Sequence, residues 1–297
     1  MLRLRPFTMH KATSAMDACD RLTELGEDAT CYAGGTELLI AMKLGMARYA
    51  HLVDVKAIGE LRDITVEPGS VTIGAAVTHR QLSRFTELPG TLSLLTEVAG
   101  RIGNPRVRTA GTLGGSLCFG EPRSDLAILA VALDGQCDLV SAGGTRTLTV
   151  EELVANPYAA DLRLGELMTR VRLAPFPGGW RFAYRKIQWE ERPLMGMAVG
   201  LREPQPGVVA DSRLSIGGAD VPPQRVRPAE ELLRGSVAEL PERVTAAAAA
   251  VNEATEWVDG DGYSALYKAH LAEVLLRRTV TAVAARSGTA TSVTGEA

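Results

Sequence analysis

The spacing of apolar positions divides the first half of the chain into short helices and short strands. Residues 13–26 predict a helix, because Thr13 or Ser14 can cap its start and Gly26 can end it. Other helices are predicted at 36–45, 78–85, 90–101 and 125–135, and strands at 29–33, 51–55, 63–67 and 70–77, with a strand–turn–strand unit at 137–150. The segments 63–67 and 70–77 read as a hairpin. No repeating β–α–β pattern is evident, so this half is predicted to be α+β.

Proline and glycine concentrate at residues 174–179, which indicates a boundary. Beyond it, the pattern predicts three strands of an antiparallel meander at 181–189, 194–202 and 207–218, followed by helices at 241–257 and 263–286. The polar tail 287–297 is predicted to be disordered.

Composition narrows the class of protein. The chain has 297 residues, 46% of them apolar and 23% charged, with a net charge of −3, which is ordinary for a soluble globular protein. The chain has neither a basic stripe nor an acidic tail, so nucleic acid is not favoured as a partner. No apolar run reaches the ~18 residues of a membrane span, and the N-terminus lacks the apolar core of a secretory signal, so a cytoplasmic location is expected.

The four cysteines show no CxxC spacing. This argues against a zinc or iron–sulfur site built from this chain, so no metal ligands are predicted. The cysteines are expected to be reduced and mostly buried.

Five glycine pairs punctuate the sequence, and two of them suggest chemistry. The pairs at 143–144, 178–179 and 217–218 read as a hairpin turn, a linker and a strand end. By contrast, Gly34-Gly35 lies between Ala33 and Thr36, and Gly114-Gly115 lies between Thr112 and Ser116. Small and hydroxyl residues around a glycine pair suit an anion-binding nest, in which consecutive main-chain N–H groups converge on phosphate oxygens.

Neither segment matches a standard nucleotide motif. No GK[ST] follows either pair, and neither fits GxGxxG in a strand–turn–helix setting. A bound dinucleotide would therefore be held outside the Rossmann mode. Spacing alone leaves phosphate binding and ordinary turns equally supported.

Taken together, "YAGGTELL" and "NPRVRTAGTLGGSLCFGEPRSDL" resemble the paired motifs of the FAD-binding medium subunits of molybdenum hydroxylases, the xanthine dehydrogenase and aerobic carbon monoxide dehydrogenase type. "TIGAAVTHRQL", "YRKIQWEERPLMGMAVGL" and "GYSALYKAHLAEVLLRRTV" extend the resemblance over nearly the whole chain. It implies a p-cresol methylhydroxylase-type FAD-binding fold at 1–175, with subdomains at about 1–57 and 58–175. A C-terminal domain with a three-stranded antiparallel sheet and helices would follow at 176–286.

The resemblance also implies which residues bind FAD. Ala33 to Thr36 and Thr112 to Ser116 would hold the pyrophosphate through main-chain N–H groups and hydroxyls. Asp125 would bind the nucleotide portion, although it could instead cap a helix at 126–133. The complete implied set is Tyr32, Ala33, Gly34, Gly35, Thr36, Glu37, Leu38, Ile102, Thr112, Leu113, Gly114, Gly115, Ser116, Asp125, Met168 and Lys186.

Three members of this set would meet the flavin ring. The Ile102 side chain would face it, the Met168 backbone would contact it, and Lys186 would stabilise negative charge on the reduced ring. Alternatively, Ile102 and Met168 are ordinary core residues, and Lys186 is a solvated lysine on a strand. Leu117 and Cys118 would also lie near the flavin.

The sequence departs from the family pattern at three points. Glu121 replaces the usual aspartate before a proline, no acidic residue follows Arg192 in "EERPLMG", and Thr36 rather than histidine excludes covalent flavin attachment there.

The function implied is that of a non-covalent FAD subunit. It would accept electrons from 2Fe–2S clusters of a small partner subunit, in a complex whose large subunit holds the molybdenum cofactor, and pass them to an external acceptor. A dimer of heterotrimers is expected, and no catalytic acid or base is needed on this chain. The alternatives are a free-standing FAD-dependent oxidoreductase and a non-catalytic nucleotide-binding module.

Overall fold

The computed structural model describes residues 4–189, 192–203, 205–218 and 221–286, and within these ranges the strands form four sheets. The predicted disordered tail, 287–297, lies outside the described residues.

The first body of the protein is a small parallel sheet with two helices. Its elements are β1 (Thr8–Lys11), α1 (Ala15–Leu25), β2 (Ala29–Tyr32), α2 (Leu38–Leu44) and β3 (His51–Asp54), with the strand order β1-β3-β2. This β–α–β–α–β succession corrects the expectation that the first half lacks such a repeat. The sequence concealed it because β1, TMHK, has a single apolar residue and is too short to show a period.

Helix α1 confirms the predicted capping. The Ser14 side chain accepts a hydrogen bond from the Asp17 N–H, and Gly26 follows the helix with a φ of 65°. The helix buries Ala18, Cys19 and Leu22 against the sheet.

The second body is built on a five-stranded antiparallel sheet in the order β4-β5-β8-β6-β7. Its elements are β4 (Ile64–Glu67), β5 (Ser70–Gly74), α3 (His79–Leu82), α4 (Ser93–Gly100), α5 (Pro105–Ala110), α6 (Leu113–Phe119), α7 (Asp125–Ala132), β6 (Gln136–Ser141), β7 (Gly144–Thr149), α8 (Val150–Leu153) and β8 (Leu167–Leu173). Both predicted hairpins, β4–β5 and β6–β7, are confirmed. The glycine-rich segment before α7 contains two short helices, which the sequence did not predict.

The third body is an antiparallel sheet with helices on one side. Its elements are β9 (Trp180–Gln188), β10 (Pro193–Arg202), β11 (Val208–Val209), β12 (Asp211–Gly218), β13 (Gln224–Arg225), α9 (Arg227–Leu233), β14 (Gly235–Ser236), α10 (Leu240–Glu253) and α11 (Ala265–Ala285). The order β13-β12-β10-β9 contains the predicted three-stranded meander and adds a two-residue edge strand. The two predicted C-terminal helices are confirmed as α10 and α11.

Helix α7 joins the second and third bodies. All eight of its residues are buried, and strands β10 and β12 pack against it. The Ser215 hydroxyl donates to the Ile128 carbonyl across this contact at 2.7 Å. Because β9 pairs with β10, this packing brings the side chains of β9 to the beginning of α7.

Candidate cofactor-binding site

The first glycine segment forms a turn with free main-chain donors between β2 and α2. Gly35 has a φ of 65°, and a Cβ there would lie 2.5 Å from the Tyr32 ring, so only glycine fits. Among the described residues, none accepts a hydrogen bond from the main-chain N–H groups of residues 33–37. The segment is half-buried, and unpaired N–H groups in such a place favour an anionic ligand.

The two glycine segments touch one another. A Cβ on Gly34 would lie 2.5 Å from the Ala110 carbonyl carbon and 2.9 Å from the Gly111 Cα. Both are backbone atoms, which no rotamer change can move away. Gly34 is therefore required for the approach of the first segment to the chain that leads into the second.

The second segment differs from the predicted N–H clamp. Thr112 caps α6, and Gly114-Gly115 lies in the first turn of that helix. The N–H groups of residues 113–116 all donate within the chain, to Val77 O at 2.9 Å, Ala75 O at 2.8 Å, Thr112 Oγ1 at 3.0 Å and Thr112 O at 3.0 Å. These four main-chain groups are therefore already bonded within the chain, two of them to the loop after β5 and two to Thr112, and the role of this segment in FAD binding stays a prediction. The Ser116 hydroxyl likewise pairs with the Ser124 hydroxyl at 2.9 Å.

His79, which lies in the segment TIGAAVTHRQL and was not among the predicted site residues, packs against Gly111 next to the second segment. Its N–H donates to the Gly111 carbonyl at 3.0 Å, and a Cβ on Gly111 would lie 3.0 Å from the imidazole Nε2. The side chain is 4% exposed, and its Nδ1 has no partner in the described part of the chain. Burial lowers the pKa of His79 from 6.5 to about 4, so the ring is neutral at physiological pH.

Asp125 is the centre of a buried polar cluster at the start of α7. Ser124 caps this helix by accepting from the Ala127 N–H, so the alternative of Asp125 as the cap is wrong. Its carboxylate instead accepts from the Tyr184 hydroxyl at 2.6 Å and from the Lys186 ammonium at 2.7 Å. The negative charge also lies in the first helical turn, where the helix dipole favours it.

Lys186 is not the solvated strand lysine of the alternative. Its side chain is 16% exposed and that of Asp125 only 6%. The two residues were assigned to different portions of an extended FAD, but their direct contact means that a ligand would meet both at one place. Tyr184, which was not among the predicted site residues, is buried, and burial together with the Asp125 charge raises its pKa well above 10.

A small cavity of about 140 Å³ opens beside this cluster. It is lined by Val98, Arg101, Asp125, Tyr184, Arg185 and Lys186. A larger cavity of about 320 Å³, lined by Glu60, Asp63, Thr65, Thr72, Gly74 and Arg170, contains none of the predicted residues.

The remaining predicted residues lie on the core of the second body. Ile102 is half-buried against this core, and Met168 is 2% exposed. Leu117 is fully buried, and the Cys118 thiol lies 3.8 Å from the Met168 sulfur. Burial raises the pKa of Cys118 to about 12, which makes this thiol a weak nucleophile.

All four cysteines are free, with Cys19 and Cys137 buried and Cys31 and Cys118 half-buried. No group of His, Cys, Asp or Glu within the described ranges could hold a metal ion. In the same part of the chain, no helix combines the length and apolar character needed to cross a membrane.

Paired glycine segments, the N–H donors of the first segment and a buried Asp–Lys pair on an α+β scaffold suit a dinucleotide-binding protein of a non-Rossmann type. Residues 5–176 match the FAD binding domain in molybdopterin dehydrogenase, and residues 182–283 match the CO dehydrogenase flavoprotein C-terminal domain. The chain therefore belongs to the family of FAD-binding subunits of molybdopterin-dependent dehydrogenases.

Individual relatives agree with this family over nearly full length. The nicotine 6-hydroxylase medium subunit of Paenarthrobacter nicotinovorans is 31% identical over 92% of this chain and 96% of its own length. The carbon monoxide dehydrogenase medium chain of Hydrogenophaga pseudoflava is 32% identical, over 94% and 98%.

A solved structure of reconstituted CO dehydrogenase from Oligotropha carboxidovorans contains a chain that superposes with a TM-score of 0.91 and 30% identity, over 96% of this chain and 100% of that one. The predicted α+β fold, with an FAD-binding domain and a C-terminal domain, is confirmed, as are the predicted cofactor and the class of oxidoreductase subunit.

Proposed function

We propose that this chain holds FAD non-covalently between its two glycine segments and passes electrons from a 2Fe–2S partner to an external acceptor. FAD supplies the redox chemistry, and the chain supplies binding, orientation and charge. The observation that carries the proposal is the row of N–H groups at residues 33–37 that meet no acceptor among the described residues, held by Gly34 against the second segment. Free donors of this kind suit the pyrophosphate of a dinucleotide.

Each body contributes a different part of the proposed site. The main-chain N–H groups of residues 33–37 donate to the pyrophosphate, Tyr32 and Leu38 flank them, and Thr112 to Ser116 form the opposite wall. Asp125 and Lys186 orient one polar portion of the cofactor together, with Tyr184 fixing the carboxylate. Ile102 and Met168 supply apolar surface for the flavin ring. Lys186 places a positive charge where negative charge develops on reduction.

The proposed domain division agrees with the buried clusters except near its boundaries, because the cluster of α1 also contains Ala76 and Leu167 and the cluster of α7 also contains Tyr184 and Ala198. Residues 1–57 and 58–175 would form the two FAD-binding subdomains, and residues 176–286 the C-terminal domain. One cluster contains residues of α1 and β3, a second surrounds α7 and the five-stranded sheet, and a third joins β10, β12, α10 and α11.

The chain is proposed to work in a complex with a small iron–sulfur subunit and a large molybdenum subunit, as a cytoplasmic dimer of heterotrimers. The relatives are named as medium subunits of such multi-subunit enzymes. Helix α2 supports a protein partner, because Ile40 and Leu44 are 47% and 57% exposed on a helix with a single polar residue. Free cysteines fit a reducing compartment.

The test is a titration of the purified chain with FAD, followed by flavin absorbance and fluorescence. We expect saturable binding and release of intact FAD on denaturation. Lys186→Met should weaken the affinity and Lys186→Arg should restore part of it, whereas Lys11→Met, on an exposed lysine of β1, should change nothing. A wild-type chain with no affinity for FAD would support the non-catalytic module and refute the proposal.

The partner assignment is tested by co-expression with candidate iron–sulfur and molybdenum subunits. We expect a stable complex, which Ile40→Glu should disrupt. Turnover of a small substrate by the FAD-loaded chain alone would favour the free-standing oxidoreductase instead.

A further inference from the structure

Arg192 connects three segments that are distant in the sequence. It lies immediately before β10, and its guanidinium donates to the Glu37 carboxylate at 2.5 Å and to the Glu121 carboxylate at 2.6 Å. Glu37 follows the first glycine segment, and Glu121 follows α6, which carries the second. One cation therefore joins both cofactor segments to the C-terminal sheet.

The Glu37 side chain contacts Arg192 and does not cap helix α2. It occupies the position before α2, yet its side chain makes no capping hydrogen bond there. Burial raises the pKa of Glu37, the neighbouring Glu121 charge raises it further, and Arg192 lowers it. The two carboxylates thus repel one another, and Arg192 is the group that holds them together.

Glu121 has further hydrogen-bond partners besides Arg192. Its carboxylate also accepts from Arg123 Nε at 2.8 Å and from the Tyr158 hydroxyl at 3.2 Å, and its side chain is only 12% exposed. Tyr158 reaches it from a backbone with a φ of 57°, a conformation that non-glycine residues rarely adopt. Glu121, which replaces the usual aspartate of the family pattern, thus contacts Arg192, Arg123 and Tyr158 in one charged network.

We propose that Arg192 is a positioning residue that locks the two cofactor segments to the C-terminal sheet and so sets how long FAD stays bound. Release of a cofactor held between the segments requires them to separate, and separation breaks at least one of the two contacts of Arg192. This inference rests on the proposed function, since it needs FAD to occupy the space between the segments.

The test measures the rate of FAD dissociation from the full chain after dilution, by the recovery of flavin fluorescence. Arg192→Met should release FAD about three- to thirtyfold faster than the wild type, because two partly exposed ion pairs are lost. The matched control is Arg227→Met, which removes another ion pair between the C-terminal and FAD-binding regions, with Glu151 at 2.9 Å. That control should leave the rate unchanged.

A second variant separates positioning from mere structural support. Glu37→Gln should speed release in the wild type, because Arg192 loses a partner, but should slow it in Arg192→Met, because a repulsion is removed. Added salt should speed release from the wild type more than from the double variant.

Three outcomes overturn the inference. They are an Arg192→Met rate equal to that of Arg227→Met, a Glu37→Gln effect of the same sign in both backgrounds, and a wild type without affinity for FAD. The last would also remove the proposed function, whereas the first two leave it intact.

Discussion

Replacing Gly34 by alanine tests the contact between the two cofactor segments directly. The added methyl would lie 2.5 Å from the Ala110 carbonyl carbon and 2.9 Å from the Gly111 Cα. Relief to an ordinary contact distance requires the segments to part by about 1 Å, since both obstacles are backbone atoms. Overpacking of this kind costs about 1–3 kcal/mol of unfolding free energy. For a chain of this size, that lowers the melting temperature by roughly 2–12 °C.

The effect on FAD should exceed the effect on stability. A displaced first segment loses part of its charge-assisted hydrogen bonds to the pyrophosphate, each worth about 1.5–3 kcal/mol. The dissociation constant should therefore rise at least about tenfold for each bond lost. Fluorescence titration, performed well below the melting temperature of the variant, measures this constant.

Gly59→Ala is the matched control for this experiment. Nothing lies within 4 Å of a Cβ at Gly59, so neither stability nor FAD affinity should fall. Equal FAD affinity in folded Gly34→Ala, Gly59→Ala and wild-type proteins would refute the reasoning that the contact between the segments forms the site.

Three further predictions follow from the buried polar groups. Tyr184→Phe removes one donor from the Asp125 carboxylate and should lower the unfolding free energy by about 1–3 kcal/mol in urea denaturation; an unchanged midpoint would show that the bond is not formed. The free energy of unfolding of the wild type should fall by about 3 kcal/mol as the pH drops from 6.5 to 4. In this range His79 takes up a proton in the unfolded state, whereas its lowered pKa keeps it neutral in the folded state. A His79→Phe variant whose stability falls in parallel with the wild type would contradict this. The Cys118 thiol should react with iodoacetamide at pH 8 about a thousandfold more slowly in the folded than in the unfolded chain, because its pKa is raised to about 12; rapid labelling, measured by mass spectrometry, would contradict the raised pKa.

The sequence predicted the cofactor better than it predicted how the chain holds it. The glycine pairs marked both segments, and capping residues located α1 to within a residue or two. Strands β2 and β3 were predicted, but the parallel sheet was missed because β1 has only four residues and a single apolar side chain.

The hydrogen-bond partners of the site residues also could not be predicted from the sequence. Glycines at 114–115 look alike whether their N–H groups are free or bonded to Ala75 and Thr112, because those partners depend on the fold. Tyr184 and Arg192 lie in a segment that resembles the family, but the sequence did not indicate which side chains they contact. Their importance arises from the packing of the C-terminal sheet on α7, which brings them to Asp125 and Glu121.

The pairing of Asp125 with Lys186 has a consequence for biosynthesis. Asp125 leaves the ribosome 61 residues before its partner. At ordinary rates of translation, about 3–12 s pass between the synthesis of Asp125 and that of Lys186, which pairs with it. A nascent chain that ends before β9 therefore has both glycine segments but lacks the lysine that pairs with Asp125. We expect flavin loading to be a late event, and truncated products that end before β9 to be colourless when purified.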